Sequence, residues 1–120
     1  MANKRDLKKY ILNLTGSLAF NCMYAAETVN GIDQEAADKV IDQISVLQQA
    51  SLRRVSFAFD KKVADFDSRH AYNLARHAYN TQAYRVLVKE FNEKVAEIVK
   101  QMNALLPASQ REINKKLAQA

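Results

Sequence analysis

The residues best suited to chemistry in this chain form a duplicated set, Arg69-His70-Ala71-Tyr72-Asn73 followed by Arg76-His77-Ala78-Tyr79-Asn80. The copies start seven residues apart, two turns of α-helix, so each residue of the second lies almost above its twin. Both histidines of the protein and two of its five tyrosines belong to this pair. Two histidines share a metal ion on a helix when they are three or four residues apart; a seven-residue step separates His70 from His77 by about 10.5 Å of rise. A shared ion is therefore not expected, and the two rings are read as solvated or interface histidines.

Other chemistry is possible for the same element. Arg69 and Arg76, with Asn73 and Asn80, form a polar ridge that could contact phosphates, and Tyr72 and Tyr79 could stack on bases. Helical geometry is expected to point the tyrosines away from the arginines, which works against that combination. The chain has no helix-turn-helix spacing, zinc-finger pattern or RNA-module signature. A contact role fits better: Ala71, Ala75 and Ala78 leave room for close helix packing, and tyrosine keeps its hydroxyl at a wet margin while burying its ring. Core packing explains the same face as readily. The candidate interface residues are Tyr72, Tyr79, Tyr84, Arg69, Arg76, His70 and His77.

Nothing else resembles a reactive centre. Cys22 is the lone cysteine, on an apolar helical stretch, with no sequence cue bringing a histidine to it. The carboxylates are scattered, and Gly16 and Gly31 cannot build a phosphate-cradling loop. No catalytic residue, cofactor or metal is expected. A single thiol allows no intrachain disulfide and suits a reducing compartment. The basic start (Lys4, Arg5, Lys8, Lys9) precedes an apolar run from Tyr10 to Ala26, but Asn13, Thr15, Ser17 and Asn21 interrupt it along one side. That run is expected to be neither a cleaved signal nor a membrane span, and the protein is expected to be cytoplasmic.

The elements that position these residues follow from composition. Two glycines and one proline in 120 residues leave little material for hairpins and point to few, long helices. The first helix is expected from about residue 3, with Asn3 as cap, to Val29. Its buried stripe is Leu7, Tyr10, Ile11, Leu14, Leu18 and Ala25. Gly16 weakens its middle, as a glycine that often permits close approach of another helix does. Asn30-Gly31 ends it, and Asp33 caps a second helix whose stripe is Ala37, Val40, Ile41, Ile44, Leu47, Ser51 and Val55. Phe57, Phe59, Val63 and Phe66 show no single period, leaving residues 58–67 as a short helix or a turn.

From Ser68 to Leu106 there is neither glycine nor proline. Tyr84, Leu87, Val88, Phe91, Val95, Ile98, Met102 and Leu105 make a clear stripe there, but carried backwards it lands on Asn80, His77, Asn73 and His70. A break or kink near Asn80-Thr81, with Thr81 as a new cap, is favoured over one helix that changes partner. Pro107 ends the segment, and Ser109 with Glu112 has the spacing of a capping box for a short helix over 110–118.

The net charge of +5 is uneven. Residues 53–89 carry eight lysines and arginines against three aspartates, a surplus equal to that of the whole chain. Residues 33–52 are acidic. Such a division suits intramolecular pairing, a complementary copy of the same chain, or an anionic partner.

The opening Asn3-Lys4-Arg5-Asp6-Leu7-Lys8-Lys9-Tyr10-Ile11, together with Arg54-Val55-Ser56 and Phe91-Asn92-Glu93-Lys94-Val95-Ala96-Glu97-Ile98, resembles a family of short, uncharacterised bacterial helical proteins. The resemblance spans about half the chain. It fails between about residues 58 and 83, where the family has a shorter turn and no repeat. It implies an all-helical fold and transfers no functional residue.

The expectation is an all-α protein: an antiparallel bundle of three to four main helices with a short C-terminal helix, as one domain over 1–120 with 106–120 as a loosely docked tail. Its expected role is a non-catalytic interaction or assembly module working through residues 69–85, as a homo-oligomer or with a protein partner and without a membrane. The alternative is accessory nucleic-acid binding through the basic segment 53–89.

Overall fold

The computed structural model describes residues 3–107. Helix α1 (Lys4–Thr28) starts where Asn3 stops extending the chain and accepts the Asp6 amide at 2.8 Å, as expected of the cap. Leu7, Ile11, Thr15, Leu18 and Cys22 recur at three- and four-residue steps and are buried. Thr15 corrects the sequence reading. It stands not with the exposed Asn13, Ser17 and Asn21 but in the core, fully buried. Its hydroxyl donates to the Ile11 carbonyl at 2.7 Å and accepts from Gln48 Nε2 at 2.9 Å, so the buried polar atom is satisfied.

The turn after α1 depends on Gly31, whose φ of +90° is strained for any residue with a Cβ. A Cβ there would also meet Pro107 Cγ at 3.4 Å. Gly31→Ala is expected to cost about 1–2 kcal/mol, seen as a lower midpoint in thermal unfolding. An unchanged melt would remove this turn as a constraint. Asp33 then caps helix α2 (Gln34–Arg54), its carboxylate accepting the amides of Glu35 at 3.0 Å and Ala36 at 3.3 Å.

Residues 56–68 form a strap broken by one 3-10 turn, Val63–Asp65. Helix α3 (Arg69–Leu105) follows, 37 residues long and therefore about 55 Å. Ser68 caps it, accepting the Ala71 amide at 3.1 Å. The favoured break at Asn80-Thr81 is absent. The helix runs through both residues, and Thr81 caps nothing; its hydroxyl is buried without a hydrogen-bond partner. The segment over 60–80 is not a fourth helix either, being divided between strap and α3. The described residues thus hold three α-helices and no strand, and the all-α expectation holds. The helix expected over 110–118 lies outside them.

Two apolar clusters hold the helices together. Leu7 and Ile11 of α1 meet Val55, just past α2, and Leu87 and Phe91 of α3. Leu18 and Cys22 meet Ala37, Val40 and Ile44 of α2 and Ile98 of α3. The start of α1 therefore lies beside the end of α2, and α3 runs alongside α1 in the same sense. Tyr10 is partly exposed yet belongs to the first cluster: its ring meets Phe91 edge-on at 5.8 Å, and its hydroxyl donates to Asn92 Oδ1 at 2.9 Å.

Candidate interaction surface

The decisive geometry is a mismatch of lengths. The 25 residues of α1 span about 37 Å against about 55 Å for α3. Asn3 and Lys4, where α1 begins, share a cleft with Asn80, Thr81, Tyr84 and Arg85. Residues 69–79 of α3 thus extend past the bundle as an overhang of about three turns. The strap folds back along one side of it.

The aromatic residues without a period explain this arrangement. Phe59 lies 5.8 Å from the Tyr72 ring and 5.5 Å from the Tyr79 ring, and Phe66 lies 5.8 Å from Tyr72, edge-on. Phe59 and Phe66 also face each other at 6.1 Å. Centroid distances of this size are typical of attractive aromatic pairs. The Ala/Tyr face of the repeat therefore packs on the chain's own strap, which is why the hydrophobic phase shifts at Asn80 while the helix continues unbroken. Lys4 anchors the base of the strap, its ammonium donating to the Phe57 carbonyl and sitting 4.7 Å from the Phe57 ring.

The candidate residues divide accordingly. Tyr72 is half-buried under the strap, Tyr79 packs on it with an exposed edge, and Tyr84 belongs to the bundle cluster. Arg69, His70, Arg76 and His77 are exposed. The expected separation of arginines from tyrosines is corrected: Arg76 lies one turn after Tyr72, and its guanidinium sits 5.7 Å from that ring. The direction that buries Leu87, Phe91 and Ile98 downstream continues up the overhang as Arg69, Asn73 and His77, all exposed. Leu74 stands beside them, 59% exposed.

Sequence reasoning missed the apolar residues on the outside of α1. Leu12, Phe20, Met23 and Tyr24 are 45–66% exposed. They share α1 with the buried stripe Leu7, Ile11, Leu18 and Cys22, so the helix is apolar on two faces and its sequence does not separate them.

Charge is spread over the surface. Among the described residues the basic segment makes one ion pair, Arg54–Glu90 at 2.5 Å, with both side chains about half exposed. The acidic face of α2 does not neutralise the basic segment within the chain.

Cys22 sits at the other end of the molecule from both histidines. Burial, and then the nearby charge of Asp38, push its thiol pKa up, and its Sγ lies 3.8 Å from the Ala37 carbonyl. It borders a cavity of about 250 Å³ lined with Ala25, Ile32, Met102 and Leu105. A thiol held protonated is a poor nucleophile. Below the unfolded thiol value, about 8.5, the thiol is neutral whether folded or unfolded; as pH rises beyond it the fold loses stability, because the unfolded chain releases a proton that burial makes the native thiol retain. Alkylation of the native protein at neutral pH is therefore expected to be much slower than in urea; equal rates would show an accessible thiol. Among the described residues no three His, Cys, Asp or Glu side chains are placed to hold a metal ion, and no helix is long and apolar enough to cross a membrane.

No protein-family model, no curated protein and no solved structure matches this chain.

Proposed function

We propose that this protein is a small, non-catalytic helical interaction module that associates with itself, built as an antiparallel up-down bundle. The observation that carries the reading is the overhang. Three turns of α3 and a dedicated strap extend beyond the bundle and add nothing to its two core clusters. Ordering each residue costs about 1–2 kcal/mol of backbone entropy, so an element outside the core needs another use. Arg69, His70, Arg76, His77 and the exposed edge of Tyr79, with Leu74 beside them, are the working surface. Tyr72 supports it from beneath, and Tyr84 roots it in the bundle. We also propose, as part of this reading, the resemblance to short bacterial helical proteins and a reducing, cytoplasmic setting for the lone thiol.

Light scattering from low to high micromolar concentration tests the proposal, with a rise in mass expected. A strict monomer throughout that range would count decisively against self-association. A second reading, binding of a nucleic acid, is favoured by one observation: Arg53, Lys61, Lys62, Arg69, Arg85 and Lys89 are all exposed, and among the described residues the ion pairing of the basic segment is confined to Arg54. Titration with mixed DNA and RNA at low and high salt distinguishes it, because binding through phosphates weakens steeply with salt. No binding at low ionic strength would remove this second reading.

A further inference from the structure

The outer face of α1 carries an order of charged and apolar residues that the fold itself does not require. Gly16 lies near its centre, exposed, with no atom within 4 Å of where a Cβ would stand. Leu12 and Phe20 lie four residues before and after it, Lys9 and Met23 seven, Arg5 and Glu27 eleven. Steps of four, seven and eleven return to nearly the same helix face, so all seven residues share one stripe. All seven are exposed. The stripe is basic at one end, apolar across its middle and acidic at the other.

Local helix energetics do not account for this order. Arg5 stands in the first turn, where the dipole is positive, and Glu27 in the last, where it is negative. Gly16 is not needed for a turn, a left-handed φ or a close contact within the chain. The edge beside the stripe carries the same signs. Lys8 is exposed at the basic end, while at the other end Asp38 and Asp42 stand one turn apart on α2, Asp38 next to Ala37, whose carbonyl faces Cys22.

We propose that this stripe is a self-complementary interface on which a second copy of the chain lies antiparallel, the two α1 helices crossing at Gly16. An interface on a two-fold axis requires that if one residue meets another, the second also meets the first across the dyad. Arg5 then faces the partner's Glu27, Lys9 its Met23 and Leu12 its Phe20, each pair made twice. The two glycines let the backbones approach at the axis. Two helix widths, α1 with the adjoining edge of α2, offer roughly 700 Å² over a length of about 37 Å, near the 800 Å² per partner of a specific dimer. The offsets are those of any helix face; what selects a second antiparallel copy is the order of charge along the stripe, basic at Arg5 and Lys9 and acidic at Glu27.

The inference rests on the self-association proposed above and adds to it a contact on α1, separate from the overhang. Sedimentation equilibrium of the full chain tests it, with circular dichroism as the folding control because every substituted residue is exposed. Arg5→Glu and Glu27→Arg are each expected to raise the dimer dissociation constant at least tenfold through like charges at both ends. The two single variants are expected to form a heterodimer when mixed, and the double variant to regain wild-type affinity. Gly16→Leu is expected to raise the thermal midpoint of the monomer while weakening the dimer at least tenfold. A wild-type dimer indifferent to these changes but lost with Leu74→Ser would overturn the α1 interface and leave self-association standing. A wild type monomeric at all concentrations would overturn both. A monomer that binds anionic vesicles and loses this with Phe20→Ser would assign the stripe to a lipid surface instead.

Discussion

Phe91→Ala is expected to remove about 3–5 kcal/mol of stability. Phe91 is 2% exposed and belongs to one cluster with Leu7 and Ile11 of α1, Val55 just beyond α2, and Leu87 on its own helix. The alanine leaves a cavity that this cluster can close only by moving two helices, and Tyr10 loses the ring its edge packs on. A domain of this kind has about 5–15 kcal/mol in total, so the variant stands close to unfolding. Urea denaturation followed by circular dichroism gives the number. Val99→Ala on the same helix, 38% exposed, is the comparison and is expected to change stability by less than about 1 kcal/mol. A loss at Phe91 no larger than at Val99 would show that the cluster does not hold the helices together.

Phe59→Ala is the second large effect, and it is local. Phe59 is the one ring in contact with Phe66, Tyr72 and Tyr79 together. Two of these contacts, to Tyr72 and Tyr79, join strap to overhang; at about 0.5–1.5 kcal/mol each, beyond the area they cover, they give roughly 1–3 kcal/mol. Without that ring the strap should detach and the first turns of α3 fray. The bundle beneath should remain, because Leu87, Phe91 and Ile98 pack on α1 and α2 and not on the strap. Amide hydrogen exchange separates the two regions. Residues 69–79 are expected to exchange much faster in the variant, while the amides around Leu87–Ile98 keep their protection. Uniform acceleration through the whole of α3 would mean that overhang and bundle open as one unit. No change anywhere would mean that the strap does not support the overhang.

The parts of this structure legible in the sequence are those fixed by local chemistry. Asn3 and Asp33 cap because a short polar side chain there satisfies free amides, whatever lies around it. Gly31 turns the chain because other residues resist its φ. The stripe from Tyr84 to Leu105 reads directly because one face of a helix meets one core. The reading failed where a residue's surroundings come from distant sequence. Thr15 looks like its exposed polar neighbours until Gln48, thirty-three residues later, is placed against it. The shift of phase at Asn80 looked like a break because Phe59 and Phe66 lie in a segment with no period, and nothing local shows that they cover Tyr72 and Tyr79. Of the candidate surface, the exposure of Arg69, His70, Arg76 and His77 agrees with the polar side assigned to them. The packing of Arg76 against Tyr72 follows from their four-residue spacing, which places both on one helix face; the division of the repeat into two opposite sides overlooked it.

The repeat that holds the histidines has one more consequence, for reach. Seven residues can be added to or removed from an α-helix with a rotation of only about 20°. Each copy therefore lengthens α3 by about 10.5 Å while every face keeps its direction. Phe59 lies against the tyrosine of both copies, so the strap would still find a ring to grip if one copy were lost. Changed by whole copies of the repeat, the overhang would gain or lose reach in two-turn increments while its faces kept nearly the same directions.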